Sequence, residues 1–224
     1  MIVDVVILSY TKNEDLYKMT QNCVESIVNS EKDYTFNITV VETDKSGTYA
    51  YEGDNVTTIV PEGSFGYNKF LNHGINNSNN EWVLLSNNDT VYSEGWLSEM
   101  MEANNKDSDI VSMSPMDDSW HTHKVLDKNI DIHYGCRVSI EITGWSILVK
   151  RKAIETIGGF DENFRFWYQD DDYSKMLQLH NIKHALITKA KVKHLLSKSH
   201  GLVGKNKHSM TNGQINVFND KWKK

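Results

Sequence analysis

The stretch Trp82-Val83-Leu84-Leu85-Ser86-Asn87-Asn88-Asp89 decides how this chain is read. It opens on four apolar residues, too few for a helix, which is the pattern of a strand covered on both faces. It closes on three turn-forming polar residues. The strand therefore delivers two amides and a carboxylate at its carboxyl end. Working outward, Ile2 to Ser9 reads as another strand buried on both faces, and Asn37 to Val41 and Val56 to Val60 as a second and a third strand. Between them, Glu14 to Val28 shows helical spacing, with Leu16, Met19, Cys23, Ile27 and Val28 on one side. Gly66 to Asn76 does the same with Phe70, Leu71 and Ile75. This βαβ rhythm predicts an α/β fold, a mostly parallel central sheet with helices on both faces. Sheets of that kind take ligands beyond the carboxyl ends of their strands. Ser9-Tyr10-Thr11, Glu42-Thr43-Asp44 and Asn87-Asn88-Asp89 are thus expected to converge on one edge.

The second half departs from this rhythm. Asp109 to Met113 and Ile142 to Val149 are predicted strands, and Arg151 to Ile157 a short helix stopped by Gly158-Gly159. Asp171 to Leu179 is a predicted helix, followed by two short strands, Lys183 to Thr188 and Lys191 to Leu195. Met116 to Arg137, rich in His, Asp and Trp, reads as a mobile loop able to close over a ligand. Gly201 to His208 is polar, and Thr211 to Trp222 reads as a closing helix. The division expected is one domain over residues 1–200, with a ligand-binding half at 1–90 and a second half at 91–200, then a tail at 201–224.

Bulk properties exclude several classes. A length of 224 residues bounds the chain at one domain, or one domain and a tail. A 39% hydrophobic and 24% charged composition suits a globular protein. No apolar run approaches the ~20 residues of a membrane span, so no stable membrane insertion is expected. Asp4 interrupts the apolar N-terminus and no basic region precedes it, which favours a buried strand over a signal peptide and a cytoplasmic setting. Cys23 and Cys136 make neither a disulfide framework nor a zinc cluster. A net charge of −6 argues against a surface built to embrace nucleic acid, although the last third is rich in lysine.

Two acidic segments could carry chemistry. Asp89, with Asn87 adding an amide oxygen, could hold Mg2+ or Mn2+, hard cations that prefer oxygen ligands. The same tripeptide also reads as an ordinary turn. In Gln169-Asp170-Asp171-Asp172, adjacent carboxylates repel, so one is expected to have a raised pKa if buried. Either they cap a helix N-terminus, or one serves as a general base beside an acceptor hydroxyl. His194 ends a strand, and a lone histidine is more often structural than a ligand. His121 and His123 form an H-x-H pair with no third ligand identified. Trp145, Trp167 and Tyr168 read equally as core or as stacking platforms for a ligand ring. Gly63-Ser64-Phe65-Gly66-Tyr67-Asn68 opens a helix and would let backbone approach a phosphate, but it lacks the G-K-[ST] of a P-loop.

Together these segments resemble the inverting GT-A glycosyltransferases of family 2, in particular their rhamnosyltransferase-like branch. Ile7-Leu8-Ser9-Tyr10-Thr11-Lys12 resembles the family's first strand and nucleotide-binding turn. Val40-Val41-Glu42-Thr43-Asp44 is similar to V-V-D-x-x-S, with Glu42 where an aspartate usually meets the nucleobase. Ser64 to Ile75 matches the G-x-x-x-x-N-x-G-I helix, and Leu84 to Thr90 the L-L-N-N-D-T form of the D-x-D motif. Gly158 to Phe164 resembles G-x-F-D-E-x-F. Tyr168-Gln169-Asp170-Asp171-Asp172-Tyr173 resembles Y-E-D-x-D-L, with Gln169 replacing a glutamate. Val192-Lys193-His194, followed by Ser197 and Ser199, is similar to V-x-H-x-x-x-x-S.

The resemblance implies a GT-A, Rossmann-like fold and a hexosyl- or pentosyltransferase. A nucleoside-diphosphate sugar would sit on Ser9, Tyr10, Thr11, Glu42, Gly66, Asn68 and Asn88. Mn2+ or Mg2+ would sit on Asp89 with His194 and Asn87. Asp170 would be the base, and Trp145, Trp167 and Asp172 would line the acceptor side. The acceptor would be a glycan hydroxyl or a modified base of viral DNA. Two other classes compete. A nucleotidyltransferase needs a basic, Gly-rich loop after the first strand, which Ser9 to Asn13 does not supply. A catalytically inactive nucleotide-sugar-binding module has no need to keep Asp89, Asp170 and His194 together.

Overall fold

A computed structural model describes residues 1–45, 49–124, 126–127, 129–195 and 207–223, the side chains of the last helix from residue 213. The chain runs β1 (Ile2–Ser9), α1 (Glu14–Asn29), β2 (Thr35–Glu42), β3 (Val56–Ile59), α2 (Tyr67–Ile75), β4 (Trp82–Asn87), β5 (Thr90–Tyr92) and α3 (Trp96–Lys106). It continues with β6 (Ile110–Met116), α4 (Asp118–His121), β7 (Ile132–Tyr134), β8 (Ser146–Lys150), α5 (Arg151–Thr156), α6 (Gln169–Leu179), β9 (Lys183–His194) and α7 (Lys207–Trp222). The sheet order is β3-β2-β1-β4-β8-β6-β9-β5, with β7 also on β9. Strands β1 to β4 are parallel; β8 opposes both β4 and β6, and β6 is parallel to β9. Six strands therefore point one way, and β5, β7 and β8 point the other.

Strand periodicity sends alternate residues of β1 to opposite faces. Val3, Val5 and Ile7 join a core with Val24 and Ile27 of α1 and Trp96, Leu97 and Met100 of α3. Val6 and Leu8 join a second core with Phe70, Leu71 and Ile75 of α2, Ile154 of α5 and Leu177 of α6. Gly74 is required for this: a Cβ there would collide with Val6 and crowd Val41. α1 starts where Asn13 accepts a hydrogen bond from the Leu16 amide at 3.0 Å, with Glu14 and Asp15 in the first turn.

The elements up to β4 match their sequence-based ranges closely; β5 and α3 follow where the sequence reading placed no element, and the rest differs in three further places. The Met116–Arg137 stretch contains a turn of helix, α4, and a strand, β7, held to β9. The strand expected from Ile142 begins only at Ser146, because Thr143 to Ser146 closes a turn in which Thr143 O accepts the Ser146 amide at 2.9 Å. The two short strands after Lys183 are one strand of 12 residues, β9. Its register against β6 slips between Ile187 and Lys191, after which it pairs with β5. Ser197, Ser199 and residues 201–206 lie outside the described residues.

Candidate active site

The carboxyl edge of the sheet gathers the expected segments. Ser9, Glu42 and Asn87 end β1, β2 and β4, which are in register. Between β1 and β2 lies a buried polar lattice. The Ser9 hydroxyl meets Thr11, Thr20 and Tyr51 at 3.0, 3.0 and 2.8 Å. Glu42 is 1% exposed and accepts from the amides of Thr11 and Asp44 at 3.1 and 2.8 Å and from the Tyr51 hydroxyl at 3.0 Å. Its carboxylate thus braces two loops, and Tyr51 is a member that no motif marks. Tyr10 stays exposed at this edge, with Lys12 Nζ 5.2 Å from its ring centre. Lys12 in turn reaches Asp44 at 2.6 Å.

The β5–β9 ladder builds the second part. Thr90 pairs with His194, and the Leu195 amide donates to Asp89 O at 2.8 Å. This ladder brings His194 Nε2 to 3.1 Å from Asp89 Oδ1, with Asp89 3% exposed. The contact is close but poorly aligned for a hydrogen bond; both His194 ring nitrogens are buried without a hydrogen-bond partner among the described residues. Buried polar atoms normally find partners, so this imidazole is placed to take a further group beyond those that the described residues offer. Carboxylate plus imidazole is a donor pair suited to a divalent cation that completes its shell with diphosphate oxygens and water. Among the described residues no cluster of three acidic, His or Cys side chains could hold a metal alone. Asn87 Oδ1 accepts from the Tyr67 hydroxyl at 3.1 Å, and Asn88 Nδ2 donates to Thr20 at 2.9 Å.

His194 is held from behind. Its amide donates to Asp117 Oδ2 at 2.6 Å, while Asp117 Oδ1 caps α4 through the Ser119 and Trp120 amides. Trp145 stacks on its ring, centroids 5.3 Å apart and planes 13° apart. Trp145, expected on the acceptor side, is 7% exposed and belongs to the core that packs on His194. His121 takes no part. Its nitrogens lie 2.8 Å from Asp117 O and 3.2 Å from Ile140 O, so His121 is structural, while His123 is exposed.

Asp170 stands in the first turn of α6. Its carboxylate lies directly on Gly144, where any Cβ would collide with both oxygens. Burial, and secondarily the charge of Asp171, pushes its carboxyl up to about 6. Among the described residues no cation pairs with it. Tyr67 connects the two acidic segments: burial first, then the charges of Asp170 and Asp89, drive its phenol upward. Tyr67 opens α2 behind Gly66, and its amide donates to Arg165 O at 2.7 Å, tying α2 to the turn before α6. Asn68, expected at the donor, spends its amide nitrogen on Asp161 O at 2.9 Å, while its Oδ1 is buried without a partner among the described residues. Trp167 is half-buried against Phe166, ring centres 5.3 Å apart. Asp172, expected on the acceptor side, is 3% exposed and held by Lys221 and Trp222.

A Rossmann-like sheet whose carboxyl edge presents a carboxylate–imidazole pair, with a second carboxylate across a tyrosine, defines a GT-A type fold. The sequence profile of glycosyl transferase family 2 matches residues 4–130, more than half of the chain, and the protein belongs to that family. Asp89 lies inside the matched residues; Asp170 and His194 lie beyond them. Among solved structures the fold is similar to the mannosyltransferase PcManGT from Pyrobaculum calidifontis, in complex with GDP-Man and Mn2+, with a TM-score of 0.64 at 15% identity. The match covers 88% of this chain and 57% of that one, so this chain spans little over half the length of its structural relative. No curated protein matches the sequence.

Proposed function

We propose that this chain transfers a sugar from a nucleoside-diphosphate sugar to an acceptor hydroxyl, with inversion at the anomeric carbon. The observation that carries the reading is the placement of one carboxylate, Asp89, against an imidazole, His194, whose nitrogens have no hydrogen-bond partner among the described residues, while a second carboxylate, Asp170, is buried with no cation among them. Asp89 and His194, with Asn87 beside them, would hold Mn2+ or Mg2+. That cation, when bound, would offset the charge of the leaving diphosphate. Tyr10, at the exposed lip of β1, is placed to stack on a nucleobase, while Glu42 shapes the turn beneath it. Asp170 takes the acceptor proton as the hydroxyl attacks, and its raised pKa suits a base working near neutral pH. A single base acting directly on the acceptor gives one displacement and hence inversion.

A cavity of about 550 Å3 opens beside the next residue, Asp171, between residues 136–138, α6 and Phe218 of α7. We assign it to the acceptor side. The net charge of −6 favours a glycan acceptor over DNA carrying a modified base. None of the described helices is long and apolar enough to cross a membrane. The free thiols Cys23 and Cys136 suit a cytoplasmic setting. The similarity of Leu84 to Thr90 to L-L-N-N-D-T is the ground for placing the chain in the rhamnosyltransferase-like branch.

The test is thermal stabilisation by UDP, GDP, dTDP and CDP, each with and without Mn2+. Stabilisation by one nucleotide that requires the cation, absent in Asp89→Ala, supports the donor site. No stabilisation by any nucleotide overturns the reading.

A further inference from the structure

The turn that delivers Asp170 is held in part by a helix far away in sequence. Tyr168, the residue before α6, has φ 65° and ψ 6°, a left-handed conformation that costs a non-glycine residue about 1 kcal/mol. Three aspartates then share one helical turn. α7 meets this segment at successive points. Gln214, 8% exposed, accepts from the Arg165 amide at 2.6 Å. Phe218 lies against the Tyr168 ring, centroids 5.6 Å apart. Lys221 bridges Asp161 at 2.8 Å and Asp172 at 2.9 Å, and Trp222 Nε1 donates to Asp172 Oδ1 at 2.7 Å. The contacts bracket the turn from residue 161 to residue 172. They bind both oxygens of Asp172 and, among the described residues, leave Asp170 without a cation.

Resting on the reading of Asp170 as the base, we propose that the C-terminal helix is a clamp on the base-bearing turn. In it Lys221 and Trp222 are positioning residues: they fix Asp172 and with it the direction in which Asp170 faces the acceptor. Neither side chain is placed at the donor site. The clamp contributes to kcat rather than to donor binding, because misplacing a reacting group by about 1 Å can cost 10²-fold.

Trp222→Phe removes the donor while keeping a ring, and Lys221→Met removes the bridge while keeping the stem; Lys221→Arg is the conservative control. Two readouts are taken on the full chain: amide hydrogen exchange over residues 161–172, and kcat with donor KM. Exchange in that segment is expected to rise about tenfold in Trp222→Phe and Lys221→Met, with exchange in β1 and β4 unchanged. kcat is expected to fall about tenfold with donor KM unchanged, and Lys221→Arg to recover most of it. Unchanged exchange in the segment overturns the clamp, as does raised exchange with wild-type kcat, which would make α7 merely structural. If the wild type transfers no sugar from any nucleotide donor, the sugar-transfer reading fails and with it the assignment of Asp170 as base. The exchange measurement then still decides whether α7 restrains the turn.

Discussion

Asp4 and Asp170 are both aspartates taken out of water, at opposite ends of the same fold, and the protein treats them in opposite ways. Asp4 lies near the amino edge of the sheet, fully buried in β1. Arg151 reaches it at 2.8 Å, the Asn80 amide at 2.8 Å, and the Asn80 and Asn37 side chains at 2.6 and 3.1 Å. Burial alone would raise its pKa, but hydrogen bonds from Asn80, Ser78 and Asn37 outweigh that and hold the carboxyl below its usual range. Asp170, at the carboxyl edge, has no such partners among the described residues, and burial pushes it up to about 6. Asp4 is surrounded by donors that favour its charged form; Asp170 is buried without them, as the proposed role of proton acceptor requires. The same substitution, Asp to Asn, should therefore do opposite things at the two ends.

The largest effect belongs to Asp170→Asn. Removing the base should lower kcat by about 10³-fold while leaving Mn2+-dependent nucleotide stabilisation as in the wild type. Transfer at a wild-type rate would remove Asp170 from the chemistry and erase the contrast. Next in size is Asp4→Asn, which strands Arg151 and should cost about 3 kcal/mol of unfolding free energy at neutral pH, read by urea denaturation. Activity per folded molecule should be unchanged. Because the folded pKa of Asp4 is depressed, its contribution is present above the unfolded value, about 3.9, and fades as pH falls through the folded one. The gap between Asp4→Asn and wild type should accordingly close in acid.

The third effect has the reverse sign. Asp170 has a raised folded pKa, so its contribution is most favourable below about pH 4 and is lost as pH rises through about 6. Asn escapes that loss. Asp170→Asn should match wild type in stability below about pH 4 and exceed it by on the order of 2 kcal/mol at about pH 7 to 8. Denaturation across that range decides it: equal stability at every pH would show that the group is not held in a desolvated place. An inactive, more stable variant at one end and an active, less stable one at the other would establish the division.

Much of this division is legible in the order of the residues, and what stays hidden there has physical causes. The β1–β4 half is legible because its central strands, β1 and β4, are buried apolar runs and α1 begins with a side-chain cap, Asn13. α3 is harder: it starts behind Gly95 in a left-handed conformation with no capping side chain, although Trp96, Leu97, Met100 and Met101 have helical spacing. β9 reads as two strands because its register slips where it changes partner. At the site, Asp89, Asp170 and His194 are legible through motifs. Tyr67, Tyr51, Asp117 and Gly144 are not, since their roles come from contacts between segments far apart in sequence. Asp172 shows the converse. It sits in a motif beside the base, yet its partner is a helix 49 residues further on, which no local pattern reveals.

Asp117 gives the smallest and finest comparison, since it is a structural carboxylate placed at the functional edge. At 2% exposure it resembles Asp4: burial would raise its pKa, but the Ser119 side chain and the His194, Trp120 and Ser119 amides bring it below the usual range. Unlike Asp4, what it holds is a proposed cation ligand. Asp117→Ala removes the cap of α4, worth about 1 kcal/mol. It also frees the backbone of His194, and groups that orient a ligand of this kind are worth about 10-fold in metal affinity. Mn2+ titrated against the nucleotide-bound protein should thus show roughly tenfold weaker binding, whereas the equally paired Asp4→Asn should leave that affinity alone. If Asp117→Ala loses only stability, its bond to His194 is scaffolding, and the line between structural and functional carboxylates falls at Asp89 instead.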